Sequence, residues 1–432
     1  MSNDPDDGQN PFKGTPFEQF FGSSGTPDLS QLFSQLQAMM QPYDGPLNWD
    51  VALDMARKQA ASQSDPTPSQ RQRDAVDDTL RLADHWLDAT TDFPSGVTST
   101  AAWSRAEWIV GTTEVWKGLV EPIAASSVNA LSQAMPEQAQ AMGGPILGML
   151  QRAVGAMLAT QIGQGLGVLA GEVLTGSDIG LPLTEPGRAA LLPANVAAFA
   201  EGLDVPADDV LLYLALREAA HQRLFAHVPW LRDHLIGAVT AYARGLEINT
   251  ANLQAKIEEQ VRGLDPSNPE AIQKMMEGGM FELDQTPEQH AALQRLEVTL
   301  ALVEGWVDEV VGQATEERMP TAARLQEAVR RRRASGGPAE QTFASLVGLE
   351  LRPRRLRDAS TLWGALRTRQ GTEARDGVWM SPHLLPTAAD LDDPLGFREG
   401  AAAPGELSEE EFEAGLRSLL DGPRDDDRPT ER

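Results

Sequence analysis

Three ionisable residues, Arg217, Glu218 and His221, stand within five positions of a strongly helical sequence pattern. At helical spacing they share one stripe with apolar residues, namely Leu214, Leu224, Phe225 and Val228. An ionisable group that faces a protein core is costly unless it is paired, bound to a ligand or next to a cavity. The pattern therefore predicts either a functional site or a buried polar network on this helix.

The spacing of Glu218 and His221 matches the second half of a His-Glu-x-x-His helix. In that motif two histidines four residues apart bind one zinc ion, and the glutamate activates a zinc-bound water. We therefore predict Glu218 as the catalytic base and His221 as a metal ligand. The first ligand position holds Arg217, a permanent cation with no lone pair for a metal. An ordinary helix surface remains the alternative interpretation of such a short match.

A second helical pattern carries acids on an apolar stripe, which consists of Leu293, Leu296, Leu300, Val303, Val307 and Val310. Glu297 and Glu304 interrupt this stripe. We predict that Glu304 supplies a third metal ligand from this second helix, and that Glu297 lines the site. The alternative is that Glu304 is a carboxylate at the edge of the stripe.

The composition excludes several classes of site. The chain of 432 residues has no cysteine, so disulfides and thiolate metal sites are excluded, and a reducing cytoplasm is the expected compartment. A net charge of −27 argues against nucleic-acid binding. The arginine runs Arg330–Arg333 and Arg352–Arg357 are local exceptions. They are interpreted as paired surface charges or a mobile loop, in preference to a site for an acidic partner. The apolar stretch Met142–Leu174 contains polar and charged residues, and small residues (glycine or alanine) recur at every fourth position from Gly155 to Gly171. This pattern indicates close packing of helices rather than a membrane span.

The elements that position these residues are mostly helical. We predict a tail at 1–45, a globular domain at 46–400 and an acidic tail at 401–432. The fold class is mainly α with a small β-hairpin or sheet (α+β). Helices are predicted at Asp50–Gln63, Ser69–Thr90, Ala101–Met135, Pro145–Leu174, Asp204–His227, Ser267–Met280 and Thr286–Ala314, with short helices at Leu29–Met40 and Ser408–Leu420. An edge hairpin is predicted from Ser177–Leu183 and Arg188–Pro193, on either side of the turn signal Glu185-Pro186-Gly187.

Seven segments together resemble the actinobacterial zincin-like metallopeptidase family. They are Leu47–Asp50, Ala83–Asp88, Trp103–Trp108, Glu218–Leu231, Leu302–Val311, Leu349–Arg355 and Leu384–Pro394. The resemblance covers residues 46–400 and implies a zinc-dependent metalloprotease or hydrolase with a zincin-like helical core. It implies that Glu218 is the catalytic glutamate, that His221 and Glu304 are zinc ligands, and that the hairpin lines a substrate cleft.

The chain departs from the intact family motif at two positions. Arg217 replaces the first histidine, as in one branch of the family, and Trp306 replaces a later histidine and is expected to line the site. We therefore favour a non-catalytic pseudoenzyme over an active metallohydrolase with Glu218 as general base, and a helical scaffold that binds a peptide or protein is the third hypothesis. In the pseudoenzyme, the Arg217 guanidinium would replace the zinc ion and bridge Glu218 and Glu304, with His221 hydrogen-bonded nearby.

Overall fold

The computed structural model describes residues 43, 45–133, 144–242, 287–334 and 355–398. All of them belong to one compact unit, which begins at Tyr43. The helices predicted at Leu29–Met40, Ser267–Met280 and Ser408–Leu420 lie outside the described residues. So do the predicted tail at 401–432 and the predicted tail at 1–45 apart from residues 43 and 45.

The described part of the chain is mainly helical with a small sheet, as predicted. Its helices are α1 (Trp49–Ala60), α2 (Gln70–Leu87), α3 (Arg105–Gln133), α4 (Gly144–Glu172), α5 (Pro193–Ala200), α6 (Ala207–His227), α7 (229–242), α8 (Pro287–Thr315), α9 (Ala322–Ala334), α10 (Leu356–Gly377) and α11 (Ala388–Asp392). Two short 3₁₀ helices span Val378–Met380 and Pro382–Leu384, and the strands are β1 (Ser99–Ala102) and β2 (Arg188–Leu191).

Helix α6 is the element around which the other parts of the candidate site assemble. It packs against α2, α8, α9 and β2, and thirteen of its residues are buried. Its start differs from the prediction, because Pro206 is itself the N-cap and Asp204 precedes it with a φ of 52° and does not cap the helix. The acidic residues Asp208 and Asp209 occupy the first turn, where they complement the helix dipole.

The predicted hairpin is wrong, although one of its two strands is correct. Strand β2 pairs in parallel with β1, in the register Ser99 to Arg188 through Ala102 to Leu191. The segment 177–183 forms turns instead of a strand, because Gly180 adopts a φ of 76° and Pro182 lacks an N–H group. Strand β1 was not predicted, because its four residues, Ser, Thr, Ala and Ala, have no alternation of apolar and polar side chains that distinguishes a strand from the helix that follows.

Both edges of β2 are occupied by the chain itself. On the edge opposite β1, the Gly176 N–H donates to the Ala190 carbonyl (2.8 Å) and the Leu192 N–H donates to the Leu174 carbonyl (2.9 Å). Thr175 and Leu191 form an antiparallel bridge between these two bonds. The short sheet is therefore closed against a further strand at this position.

The glycine-bearing face of α4 packs in the core, as predicted. A Cβ atom placed on Gly163 would lie 2.3 Å from the Ala52 carbonyl oxygen, and one on Gly167 would lie 2.6 Å from that of Ala56. The backbones of α4 and α1 therefore approach more closely than larger residues allow. No helix in the described ranges is both long and apolar enough to cross a membrane.

Candidate functional site

The carboxylate of Glu304 lies at the centre of a fully buried polar cluster. Its Oε2 accepts a hydrogen bond from Arg217 Nη2 at 2.5 Å, and its Oε1 lies 3.0 Å from His221 Nε2. Arg333 Nη2 lies 3.1 Å from the same Oε1. The three partners come from α6 and α9, whereas Glu304 is on α8, so the carboxylate joins three helices.

The ring of His221 is fixed at both nitrogens. Nδ1 donates to the backbone carbonyl of Arg217 at 2.8 Å, since a carbonyl oxygen only accepts. Nε2 is therefore the nitrogen that faces Glu304. The imidazole is 1% exposed and stacks on Phe225, with ring centroids 5.8 Å apart. The His221 ring takes this orientation because His221 stands one helical turn after Arg217, which places Nδ1 beside the Arg217 carbonyl.

The cations around Glu304 determine its protonation. Burial alone would raise the pKa of Glu304, but the Arg333 guanidinium, together with His221 and Arg217, lowers it to about 2. Glu304 is consequently an anion at neutral pH, held by charge-assisted hydrogen bonds.

A second carboxylate, Asp308, extends the cluster by one helical turn. Its Oδ2 accepts from Arg330 Nη2 (2.5 Å), Ser360 Oγ (2.8 Å) and Gln326 Nε2 (3.1 Å). Its Oδ1 lies 3.9 Å from Arg217 Nη1, which is beyond hydrogen-bonding distance. The arginines of the run on α9 are paired, but not only at the surface as interpreted, because Arg330 and Arg333 pair with the buried carboxylates of Asp308 and Glu304.

Glu218 lies apart from this cluster, so the predicted bridge by Arg217 is half wrong. Its carboxylate accepts from the backbone N–H of Ser177 (3.0 Å) and of Ala190 (3.4 Å), and from Gln222 Nε2 (3.1 Å). Neighbouring helical residues point about 100° apart, so Arg217 reaches α8 while Glu218 reaches β2 and the turn before it.

Comparison with known proteins now identifies the family. The family model of zincin-like metallopeptidases matches residues 47–397. The chain belongs to the zincin-like metallopeptidase family. A crystal structure from Chloroflexus aurantiacus, described as "a putative hydrolase with a novel fold", shares the fold with a TM-score of 0.56 and 20% sequence identity. The alignment covers 81% of this chain and 96% of that one. No curated protein matches this chain significantly.

The side chains around Glu304 do not fit the zinc ion that the zincin-like family implies. A catalytic zinc site takes three protein ligands, whereas the lone pairs available here come from Glu304 and His221 alone. The oxygens of Glu304 already face guanidinium N–H groups, and His221 Nε2 is directed at the Glu304 carboxylate itself. Two guanidiniums within 3.1 Å of Glu304 would repel a divalent cation. In the described ranges, no three or more His, Asp and Glu residues are grouped to hold a metal.

Two other predicted site residues, Trp306 and Glu297, lie away from the polar cluster around Glu304. Trp306 points to the opposite side of α8, where its Nε1 donates to Asp376 Oδ1 at 2.8 Å and its ring packs under Arg375. The prediction that Trp306 lines the site is therefore wrong, because two residues along a helix correspond to about 200° of rotation. Glu297 is half-buried about 10 Å before Glu304 along the helix axis.

Several residues that contact Glu304, Arg217 or Glu218 were not predicted from the sequence. Asp308 stands four residues after Glu304 and could have been found from the helical period. Arg333 was recognised only as part of a charged run, and no pattern relates it to α8. Ser177 contributes a backbone N–H, which sequence composition does not reveal.

A substitution at Gly180 tests whether the turn at 177–183 packs directly against the Glu304 carboxylate. A Cβ on Gly180 would lie 2.8 Å from Glu304 Oε1, and its φ is 76°. Gly202 has a similar φ of 78° with no atom within 4 Å of its Cβ position. We expect Gly202→Ala to cost about 1 kcal/mol of unfolding free energy from backbone strain alone, and Gly180→Ala to cost about 1–3 kcal/mol more. Urea unfolding of both variants measures the difference, and equal losses would contradict close coverage of Glu304.

Glu218 gives a distinct pH dependence of stability. Burial raises the pKa of Glu218 above its usual 4.5, against the opposing effect of His221 and of the hydrogen bonds to its carboxylate. A raised folded-state pKa contributes stability that is complete below the unfolded value and is lost as pH rises through the folded value. We therefore expect wild type to lose stability above about pH 5 more steeply than Glu218→Gln, as measured by urea unfolding from about pH 5 to pH 8. Parallel curves would contradict this, and Glu201→Gln, at an exposed carboxylate, is the matched control.

Proposed function

We propose that this zincin-like protein is non-catalytic, and that the guanidiniums of Arg217 and Arg333 supply the positive charge that zinc supplies in an intact family member. The observation that supports this most directly is the carboxylate of Glu304, whose two oxygens are engaged by Arg217, His221 and Arg333 within 3.1 Å. A guanidinium can neutralise a buried carboxylate, but it has no vacant orbital with which to activate water as a Lewis acid does.

The environment of Glu218 also supports the loss of catalysis. A general base needs an ionised carboxylate within reach of water. Glu218 is 0% exposed, and its oxygens accept from two backbone amides and Gln222. These contacts give Glu218 a structural role, in which it fastens α6 to β2 and to the turn at Ser177.

The occupied edge of β2 bears on substrate binding. A strand that lines a peptide cleft must present free N–H and C=O groups to an incoming peptide. On β2, the Ala190 carbonyl accepts from the Gly176 N–H, and the Ala190 N–H donates to the Glu218 carboxylate. The neighbouring Leu192 N–H donates to the Leu174 carbonyl. We therefore propose that any peptide or protein partner binds at another surface, and that the protein acts as a binding scaffold. The absence of cysteine favours a reducing cytoplasm as its compartment.

A hydrolysis assay tests the proposal. Purified wild type and Glu218→Gln, each supplied with zinc, are incubated with casein and with a mixture of fluorogenic peptides. We expect both proteins to give the same background rate. A zinc-dependent cleavage by wild type that disappears in Glu218→Gln and with a chelator would contradict the non-catalytic assignment.

A further inference from the structure

An arginine-lined groove lies between the end of α5 and the outer face of α9. Its volume is about 740 Å³, and it is lined by Phe199, Gly202, Leu203, Arg324, Ala328, Arg331 and Arg332. The floor is therefore partly apolar and the rim carries three guanidiniums. The groove is separate from the Glu304 cluster, because residues 324, 328 and 331 point away from the positions on α9 that carry Arg330 and Arg333.

Two of these arginines are available for another anion. The side chains of Arg324 and Arg331 are 59% and 75% exposed. Arg324 bonds the Asp204 carbonyl at 2.6 Å and lies 3.6 Å from its carboxylate, and Arg331 lies 3.3 Å from Glu327. Exposed pairs of this kind contribute little to stability, so a denser set of carboxylates can displace them.

Arg332 and Phe199 give the groove a fixed inner wall. The Arg332 guanidinium stacks over the Phe199 ring at 5.7 Å and donates to the Glu172 carbonyl, and its side chain is 21% exposed. A wall of this kind is suited to the aromatic and aliphatic side chains of an amphipathic segment, while Arg324 and Arg331 are suited to its acids.

We propose that this groove binds the chain's own acidic segment Ser408–Leu420. Four glutamates, Glu409, Glu410, Glu411 and Glu413, stand in that segment beside apolar residues at helical spacing, namely Phe412, Leu416, Leu419 and Leu420. Opposite charge favours this groove over most of the surface, because the chain as a whole is strongly negative.

The chain between Arg398 and Ser408 is long on the scale of the molecule. The described chain ends at Arg398, and the ten steps from there to Ser408 reach about 35 Å when extended. A compact chain of this size has a radius of gyration of about 20 Å, so the segment can reach surfaces well away from Arg398. This inference does not depend on whether the protein is catalytic.

Disulfide trapping in the full chain tests the proposal, because the protein has no cysteine of its own. The pair Ala328→Cys with Ser418→Cys reports on the groove. The control pair is Thr368→Cys with Ser418→Cys, because Thr368 is exposed and precedes Arg369, which bonds the Phe397 carbonyl near the end of the described chain. Random encounters should therefore favour the control pair.

We expect the groove pair to form an intramolecular disulfide at least about five times faster than the control pair at about 0.1 M salt. Raising salt to about 1 M shortens the Debye length from about 10 Å to about 3 Å and should lower the rate several-fold, as should Arg324→Glu with Arg331→Glu. Equal rates for the two pairs would overturn the proposal. So would a rate insensitive to salt and charge reversal, or a disulfide that forms only between two copies of the chain.

Discussion

Replacing Glu304 by glutamine should lower the free energy of unfolding by about 3–5 kcal/mol, which is the usual cost of breaking a buried ion pair. The variant keeps the shape of the side chain but leaves Arg217 and Arg333 without their shared anion. Because both guanidiniums are about 5% exposed, water cannot replace the lost charge. Urea unfolding at neutral pH measures the loss. Glu288→Gln, at an exposed position in the first turn of the same helix, should change stability by no more than about 0.5 kcal/mol.

Glu304→Gln should also change how the free energy of unfolding depends on pH below about 4.5. The folded-state pKa of Glu304 is about 2 and its usual value is 4.5, so its contribution is present above about pH 4.5 and is lost as pH falls towards 2. The shift corresponds to about 3 kcal/mol, which wild type should lose in this range and Glu304→Gln should not. A wild-type stability that stays flat down to about pH 2 would contradict the proposed role of Glu304.

Replacing Arg217 by histidine should convert the cluster into a zinc site. The variant would have imidazoles at positions 217 and 221, four residues apart on α6, with Glu304 facing them from α8. His221 already directs Nε2 at Glu304, with Nδ1 held by a backbone carbonyl, an arrangement that orients a ligating histidine. Three protein ligands are the usual number for catalytic zinc, so we expect about one zinc ion per chain.

Arg333 provides an internal control for that conversion. Its guanidinium stays beside Glu304 in Arg217→His and should weaken zinc binding by repulsion. We therefore expect Arg217→His with Arg333→Gln to bind zinc more tightly than Arg217→His alone, by about tenfold or more, in a competition titration with a zinc-binding dye. Arg333→Gln alone keeps Arg217 and should bind none. An identical affinity in the single and double variants would show that Arg333 is too far from the metal position to matter.

Helical periodicity was the most informative property of the sequence. It placed α6 and α8 correctly and put Arg217, His221 and Glu304 on faces that meet, because a core-facing stripe leaves few orientations for two packed helices. It could not place Glu218, since its partners are the backbone amides of Ser177 and Ala190, and an amide N–H is common to almost every residue. The bridge between Glu218 and Glu304 was wrong for this reason.

The short sheet and α9 were beyond the reach of sequence patterns for different physical reasons. A four-residue parallel strand depends on a partner far away in the chain, so β2 was predicted but its pairing with β1 was not. The inward direction of Arg333 depends on how α9 lies against α8, which is set by tertiary packing. The family resemblance suggested Trp306 as a site residue, but the rotation of α8 places it on Asp376 instead.

Zinc titration of the wild-type protein tests the central claim most directly, namely that Arg217 and Arg333 take the place of the metal. Full-length protein is dialysed against zinc at neutral pH, freed of excess metal, and its zinc content is measured by mass spectrometry beside Arg217→His. We predict less than about 0.1 zinc per wild-type chain and about one per Arg217→His chain. About one zinc per wild-type chain that is lost in a His221→Ala variant would contradict the account, because it would show that a metal displaces the guanidiniums from Glu304.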